Sequence, residues 1–297
     1  MAELPAWRWQ VWSASVRGAS HLRSQTPNQD AVAHWVSEPN PRGPVILAVA
    51  DGHGSDRSYR SDIGSQLAVA MAIETCRDFV NDLREATPSQ VKQSAEQRLP
   101  NLLVKQWQSE VERHWQNNPL TDAERERWPA ARDLASREAE ATPKEKFRIY
   151  GSTLLVILAD EAYALFLQLG DGDLLVVQDD AEANLSVSRP IARDETLIAN
   201  ETTSLCQLDA ASKFQVRLSV FGERPPALLL ACTDGYSNGF ETPAGFEQVG
   251  PDLCRALRQD GVAIIGEELP AELERVSSLG SGDDVTAGFI FREDVQP

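Results

Sequence analysis

Three apolar runs in this chain stop at an aspartate followed by glycine. Val45–Ala50 runs into Asp51-Gly52, Tyr163–Leu169 into Gly170-Asp171-Gly172, and Leu228–Cys232 into Thr233-Asp234-Gly235. A fourth acidic pair, Asp283-Asp284, precedes the apolar run Val285–Phe291. Short, unbroken apolar runs suit strands buried on both faces. A glycine just past the strand lets the backbone turn sharply or approach a ligand. A single Asp-Gly is an ordinary turn signal. Several gathered at strand ends are a different matter, because clustered carboxylates repel one another unless a cation neutralises them. Donors that are all oxygen favour hard cations such as Mg²⁺ or Mn²⁺ over zinc.

Between these runs the pattern turns helical in two blocks. From about Ser61 to Asp82 apolar residues recur at helical spacing, which predicts a buried face of Ile63, Leu67, Ala70, Met71 and Ile73. Thr87-Pro88-Ser89 reads as the cap of a second helix reaching about Trp115, with Leu99, Leu102, Leu103, Gln106, Trp107 and Val111 near one stripe. Pro100 is expected to kink or divide it. Residues 117–147 predict short helices at best. Trp7–Val16 reads as a strand, and Pro251–Arg258 and Leu269–Ser277 as helical. Leu154–Ala159, Tyr163–Leu169 and Leu174–Val177, joined tightly, predict an antiparallel meander. Residues 179–224 carry no clear pattern. Helices that cluster and strands that pair locally give an α+β class, not alternating α/β.

The 42% hydrophobic content is enough for a sizeable core in 297 residues. Twenty-eight basic against 45 acidic side chains leave a net charge of −17, which argues against nucleic acid or an anionic membrane as partner. No apolar run approaches the roughly 18 residues of a membrane span. Met1–Val16 lacks a basic segment followed by an apolar one, so no signal peptide and a cytoplasmic location are expected. The four cysteines form no Cys-x-x-Cys pair and read as free thiols.

Taken in order, Ser20-His21, Asn28-Gln29-Asp30, Asp51-Gly52-His53-Gly54, Gly151-Ser152-Thr153, Leu169-Gly170-Asp171-Gly172, Thr233-Asp234-Gly235 and Asp283-Asp284-Val285-Thr286 resemble the metal-dependent Ser/Thr protein phosphatases of type 2C. Ser-His ahead of Asn-Gln-Asp is similar to a bacterial branch of that family. The likeness runs from about Ser15 to Arg292. It implies a four-layer sandwich, two antiparallel sheets flanked by helices, as a single phosphatase domain over residues 1–297. A helical insert spans about 61–147, its two amphipathic helices covering a sheet.

The resemblance implies a binuclear Mn²⁺ or Mg²⁺ centre held by Asp51, the Gly52 carbonyl, Asp234 and Asp283, with Asp30 an inner or water-mediated ligand. Asp171 would brace the site without binding metal. Gln29 stands where the family usually has glutamate and cannot supply a charged oxygen. Asn238 stands where an acidic residue would help a third ion, and Arg148 where animal members carry an aspartate, so a third site should be weak or absent. Two divalent ions about 4 Å apart can activate a water for attack on phosphorus. No protein nucleophile is then needed. His53, next to the ligand pair, is the expected general acid for a serine or threonine alkoxide. Arg23 is the expected phosphate contact, with His21 its competitor. The implied substrate is a phosphoserine or phosphothreonine protein with a cognate Ser/Thr kinase. The alternative is a catalytically weak member that binds phosphoproteins as a regulatory module. A metal-dependent nuclease also clusters carboxylates, but the charge and the lack of a basic, aromatic-lined patch disfavour it.

Overall fold

The computed structural model describes residues 7–38, 42–127, 141–192 and 203–295. Ten strands are described: β1 (Trp7–Val16), β2 (Ala31–Val36), β3 (Val45–Ala50), β4 (Leu154–Ala159), β5 (Tyr163–Leu169), β6 (Asp173–Asp179), β7 (Leu185–Ser188), β8 (Gln215–Val220), β9 (Leu228–Cys232) and β10 (Val285–Asp294). They form two five-stranded sheets ordered β1-β10-β9-β6-β7 and β2-β3-β4-β5-β8. Every pairing is antiparallel.

β3 explains the layering. All six of its residues are buried. Val45, Leu47 and Val49 point between the sheets, among Leu155, Ile157, Phe166, Leu229 and Ile290. Ile46, Ala48 and Ala50 point the other way, into a helical layer. That layer is the helix Ser61–Asp82 and the helix Pro88–Asn117. The opposite sheet is covered by the helices Val249–Asp260 and Val262–Leu279, through Leu257, Leu273 and Val276 on Leu230, Ala287 and Phe289. Two sheets between two helical layers make four layers around three apolar interfaces. No helix among the described residues is long and apolar enough to cross a membrane.

Four sequence expectations are corrected. The meander is not one sheet: β4 and β5 pair, but β6 lies in the other sheet between β7 and β9. The chain crosses between sheets at Gly170, whose φ of +117° is a conformation that side chains disfavour. The helix Ser61–Asp82 buries Gly64, Ala68, Ala72, Cys76 and Phe79, while Ile63, Leu67, Met71 and Ile73 are only partly buried and Ala70 is exposed. Small residues win this face because they let the helix backbone approach the sheet and the neighbouring helix; Trp107 Nε1 reaches the Gly64 carbonyl at 2.9 Å. Pro100 does not divide the second helix, where it is buried with Leu99 in the core-facing stripe. Its expected cap is present as a reciprocal pair, Thr87 accepting from the Gln90 backbone and Gln90 from that of Thr87. Lastly, β7, β8 and the helix Ala210–Lys213 occupy the stretch that carried no clear pattern, although Val216, Leu218 and Val220 alternate with polar residues along β8 as a half-buried strand requires.

Candidate active site

Register brings the aspartates together. β2 pairs Ala31 with Ala50, so one further step sets Asp30 against Asp51. β3 pairs Val49 with Leu155, and the ladder continues through Asp51 and Thr153: the Thr153 amide donates to the Asp51 carbonyl at 2.8 Å and the Asp51 amide to Thr153 Oγ1 at 2.9 Å. β6 pairs Asp173 with Cys232, and two further steps set Asp171 against Asp234. β1 pairs Val16 with Val285, leaving Gly18 beside Asp283 and Asp284. Every one of these continuations leaves its sheet at the same end of the sandwich. There Gln29, Asp51, Gly52, His53, Asp171, Asp234, Asp283 and Asp284 line a cleft of about 170 Å³.

Asp51, Asp171 and Asp234 each place a carboxylate oxygen within 4.8 Å of the others. No lysine or arginine is among the residues lining the cleft. Burial first, then Asp30, Asp234, Asp283 and Asp171, push the Asp51 carboxyl well above its usual range. Burial and then Asp171 raise Asp234 to about 6. Such a group is costly as free anions and favourable around a cation. Its donors are all oxygens, which fits a hard divalent ion.

A second group is engaged with the protein itself. Asp284, 3% exposed, accepts from the Gly18 amide and the Gln29 amide, both at 2.6 Å. His21 Nδ1 lies 2.9 Å from Asp284 Oδ1. Asp30 is buried behind the cleft, where its Oδ2 accepts from Thr233 Oγ1 at 2.8 Å. Burial, opposed by the Thr233 and Thr286 hydroxyls, holds its carboxyl at about 8. The Gln29 side chain donates to Ser61 Oγ at 2.7 Å, and the Gln29 backbone carbonyl accepts from Gly52 N and Ser65 Oγ. Gln29 therefore works as a latch between the cleft and the helix Ser61–Asp82.

His53 stands at the rim. Its amide donates to the Gly151 carbonyl at 3.0 Å, and its ring lies over Gly151 so closely that a Cβ there would be 2.4 Å from Cδ2. Burial lowers its pKa below the usual imidazole value, with Asp171 acting in the opposite sense. Arg23 is exposed on the short helix Ala19–Ser24 and is not among the cleft-lining residues. Asn238 donates its Nδ2 to Asp234 Oδ2 at 3.1 Å, so it acts as a donor to that carboxylate.

Of the sequence-derived residues, the structure gathers Asp51, Gly52, His53, Asp234 and Asp283 in the cleft, sets Asp30 behind it and leaves Arg23 outside its lining. Asp171 joins the open group, while His21, Asp283 and Asp284 form a second set whose ligand atoms lie within 4.8 Å of one another. The signal for Asp171 was in the chain, as an Asp-Gly after a buried strand like the other two.

Two antiparallel sheets open on a cleft whose converging carboxylates suit a hard divalent ion. A family model described as protein phosphatase 2C matches residues 17–275, and the chain belongs to that family of metal-dependent phosphatases. Among solved structures it is similar to a bacterial serine phosphatase, at 15% identity with a TM-score of 0.57 over 97% of this chain and 99% of that one. It is similar to the catalytic domain of the serine/threonine protein phosphatase PstP, solved with two manganese ions, at 17% identity with a TM-score of 0.55 over 97% and 100%. It also resembles the serine/threonine phosphatase Stp1 from Staphylococcus aureus, at 14% identity with a TM-score of 0.54 over 100% and 98%. At such identities these likenesses are of fold. A search of the curated proteins finds no sequence match.

Proposed function

We propose that the chain is a single phosphatase domain, residues 1–297, that hydrolyses phosphoserine and phosphothreonine in cytoplasmic proteins, opposing a Ser/Thr kinase in a bacterial cell. The observation that carries this reading is the group Asp51, Asp171 and Asp234, three converging carboxylates with no cationic side chain lining their cleft. Asp51, the Gly52 carbonyl, Asp234 and Asp283 would hold two Mn²⁺ or Mg²⁺ ions, the number PstP carries as manganese. Bound there, the ions supply an activated water and offset charge on the phosphoryl oxygens.

The chain's own residues do the rest. Asp30, engaged by Thr233, fixes the floor beneath Asp51. Gln29 and Asp284 tie the β1–β2 connection to β10. His53 at the rim protonates the departing alkoxide. Its lowered pKa leaves it mostly neutral at pH 7, and an arriving phosphate dianion favours the protonated form. Arg23, exposed on the helix Ala19–Ser24, would contact the phosphate, while His21, beside Asp284, supports that carboxylate instead.

Turnover of an aryl phosphate and of a phosphothreonine peptide, each with and without Mn²⁺, tests the proposal. Mn²⁺-dependent hydrolysis of both is expected. Phosphopeptide binding without turnover would identify the regulatory-module alternative.

A further inference from the structure

A second cavity, of about 430 Å³, lies on the outer face of the β1-β10-β9-β6-β7 sheet. Leu230, Ala287 and Phe289 form its floor, and Tyr236, Phe240, Leu253 and Ile265 its walls. Ala256 and Gly245 leave space between the covering helices and the sheet. The cavity's polar lining is Gln248, Asp252, Glu268 and Glu272 besides the tyrosine, with no lysine, arginine or histidine.

A mostly apolar recess of this size with a few polar groups has the form of a small-molecule site. It is too small for a peptide helix, which is about 10 Å across. Its charges choose the ligand. Asp252 and Glu272 pair with Arg255 and Arg275 in exposed contacts within their own helices, an arrangement worth little. Glu268 is exposed and has no ion-pair partner among the described residues. An anion would meet three carboxylates, whereas a cation would gain Glu268 while its apolar body filled the recess.

The cavity also touches the metal-binding end. Tyr236, 5% exposed, belongs to the helical turn Asp234–Ser237, so the turn that aims the Asp234 carboxylate at the cleft places an aromatic ring in the cavity wall. That ring meets Phe240 edge-on at 5.4 Å and Phe246 at 6.1 Å. Gly235 between them is pressed on the Asp284 carbonyl, where a Cβ would lie 2.0 Å away. The turn has little room to absorb a displacement of Tyr236 locally.

We propose that this cavity binds a small amphiphilic cation, an amine or quaternary ammonium with an apolar body, and that its occupancy changes the affinity of the cleft for divalent metal. The second half rests on Asp234 being a metal ligand, as proposed above; the first does not. Calorimetry on the full chain, with decyltrimethylammonium, decyl sulfate and decyl maltoside below their micellar concentrations, tests both. Decyltrimethylammonium should bind once per chain, about tenfold more tightly than the anion or the neutral detergent. Ala256→Trp, at a half-exposed helical position, should abolish that binding by filling the recess. Glu268→Gln, on the surface, should weaken the cation several-fold and leave decyl maltoside unchanged. Equal binding of cation and anion, or unaltered cation binding in both variants, overturns the site. Saturating cation should shift the Mn²⁺ dissociation constant, and Mn²⁺ should shift that of the cation by the same factor. An unshifted Mn²⁺ constant overturns the coupling. Absence of Mn²⁺ binding overturns the metal assignment while the cation measurement still decides the site.

Discussion

Six aspartates stand at one end of this sandwich, and they are of two kinds. Asp284 and Asp30 are buried and engaged: two backbone amides donate to the first and a threonine hydroxyl to the second. Asp51, Asp171 and Asp234 face one another across the cleft, with Asp283 at its edge. The side chain and the strand-end location are the same in both groups. What differs is the kind of donor: distant segments tie down the first two, whereas Asp234 accepts from the exposed Asn238 amide four residues on and Asp283 from the next residue's amide. Donors from distant segments make a carboxylate a structural tie, while convergence without a cationic side chain in the lining favours a metal.

The contrast breaks most sharply at Asp51 and Asp234. Asp51→Ala and Asp234→Ala should each cost roughly 10³-fold or more in turnover, the several kcal/mol expected of metal charge stabilisation. Each variant should stay folded, and without metal each should melt no lower than wild type, since like-charge repulsion is relieved. Full Mn²⁺-dependent turnover by either variant would remove both from the metal site.

Asp284→Ala should do the reverse. It strands two backbone amides, so urea unfolding of the metal-free protein should show a loss of about 3 kcal/mol. An unchanged unfolding midpoint would place Asp284 with the open group.

His53→Ala should lower turnover of a phosphothreonine peptide about 10²-fold, and of nitrophenyl phosphate far less, because nitrophenolate leaves without a proton. Gly151→Ala should reproduce that selectivity, since its methyl would occupy the place of the imidazole. Equal losses on both substrates would make His53 a positioning residue.

The smallest effect is in pH. Asp30 at about 8 and Asp234 at about 6 both lie above the unfolded carboxylate value of 3.8. Their protonated forms favour the metal-free fold. That contribution is complete below 3.8 and is lost as pH rises through 6 and 8. Melting of the metal-free protein should therefore fall from pH 6 to pH 8. Mn²⁺ takes the place of the Asp234 proton, so its stabilising shift should grow by a few degrees as pH rises through 6. A shift independent of pH would mean that Asp234 does not meet the ion.

Much of this was legible locally. β3, β4 and β5 coincide with their apolar runs and β1 with the stretch read as a strand, and the Asp-Gly ends named Asp51, Asp171 and Asp234 before any strand was paired. The buried face of Ser61–Asp82 was not legible, because hydrophobic spacing favoured the larger residues while close approach to the sheet required the small ones. The latch role of Gln29 was hidden too, since its partner Ser61 lies across a helix start that the sequence does not link to it.

The sequence by itself determined the strand ends, the glycines after them and the oxygen-only character of the donors, because each depends on a few adjacent residues. Only the tertiary structure decided that β6 leaves its neighbours for the other sheet, that β1 pairs with β10 from the far end of the chain, and that Gly18 and Gln29 give their amides to Asp284 and none to Asp51. Those choices depend on register between strands distant in sequence, and register is set by which faces can be buried together, a property of the packed molecule and of no single segment.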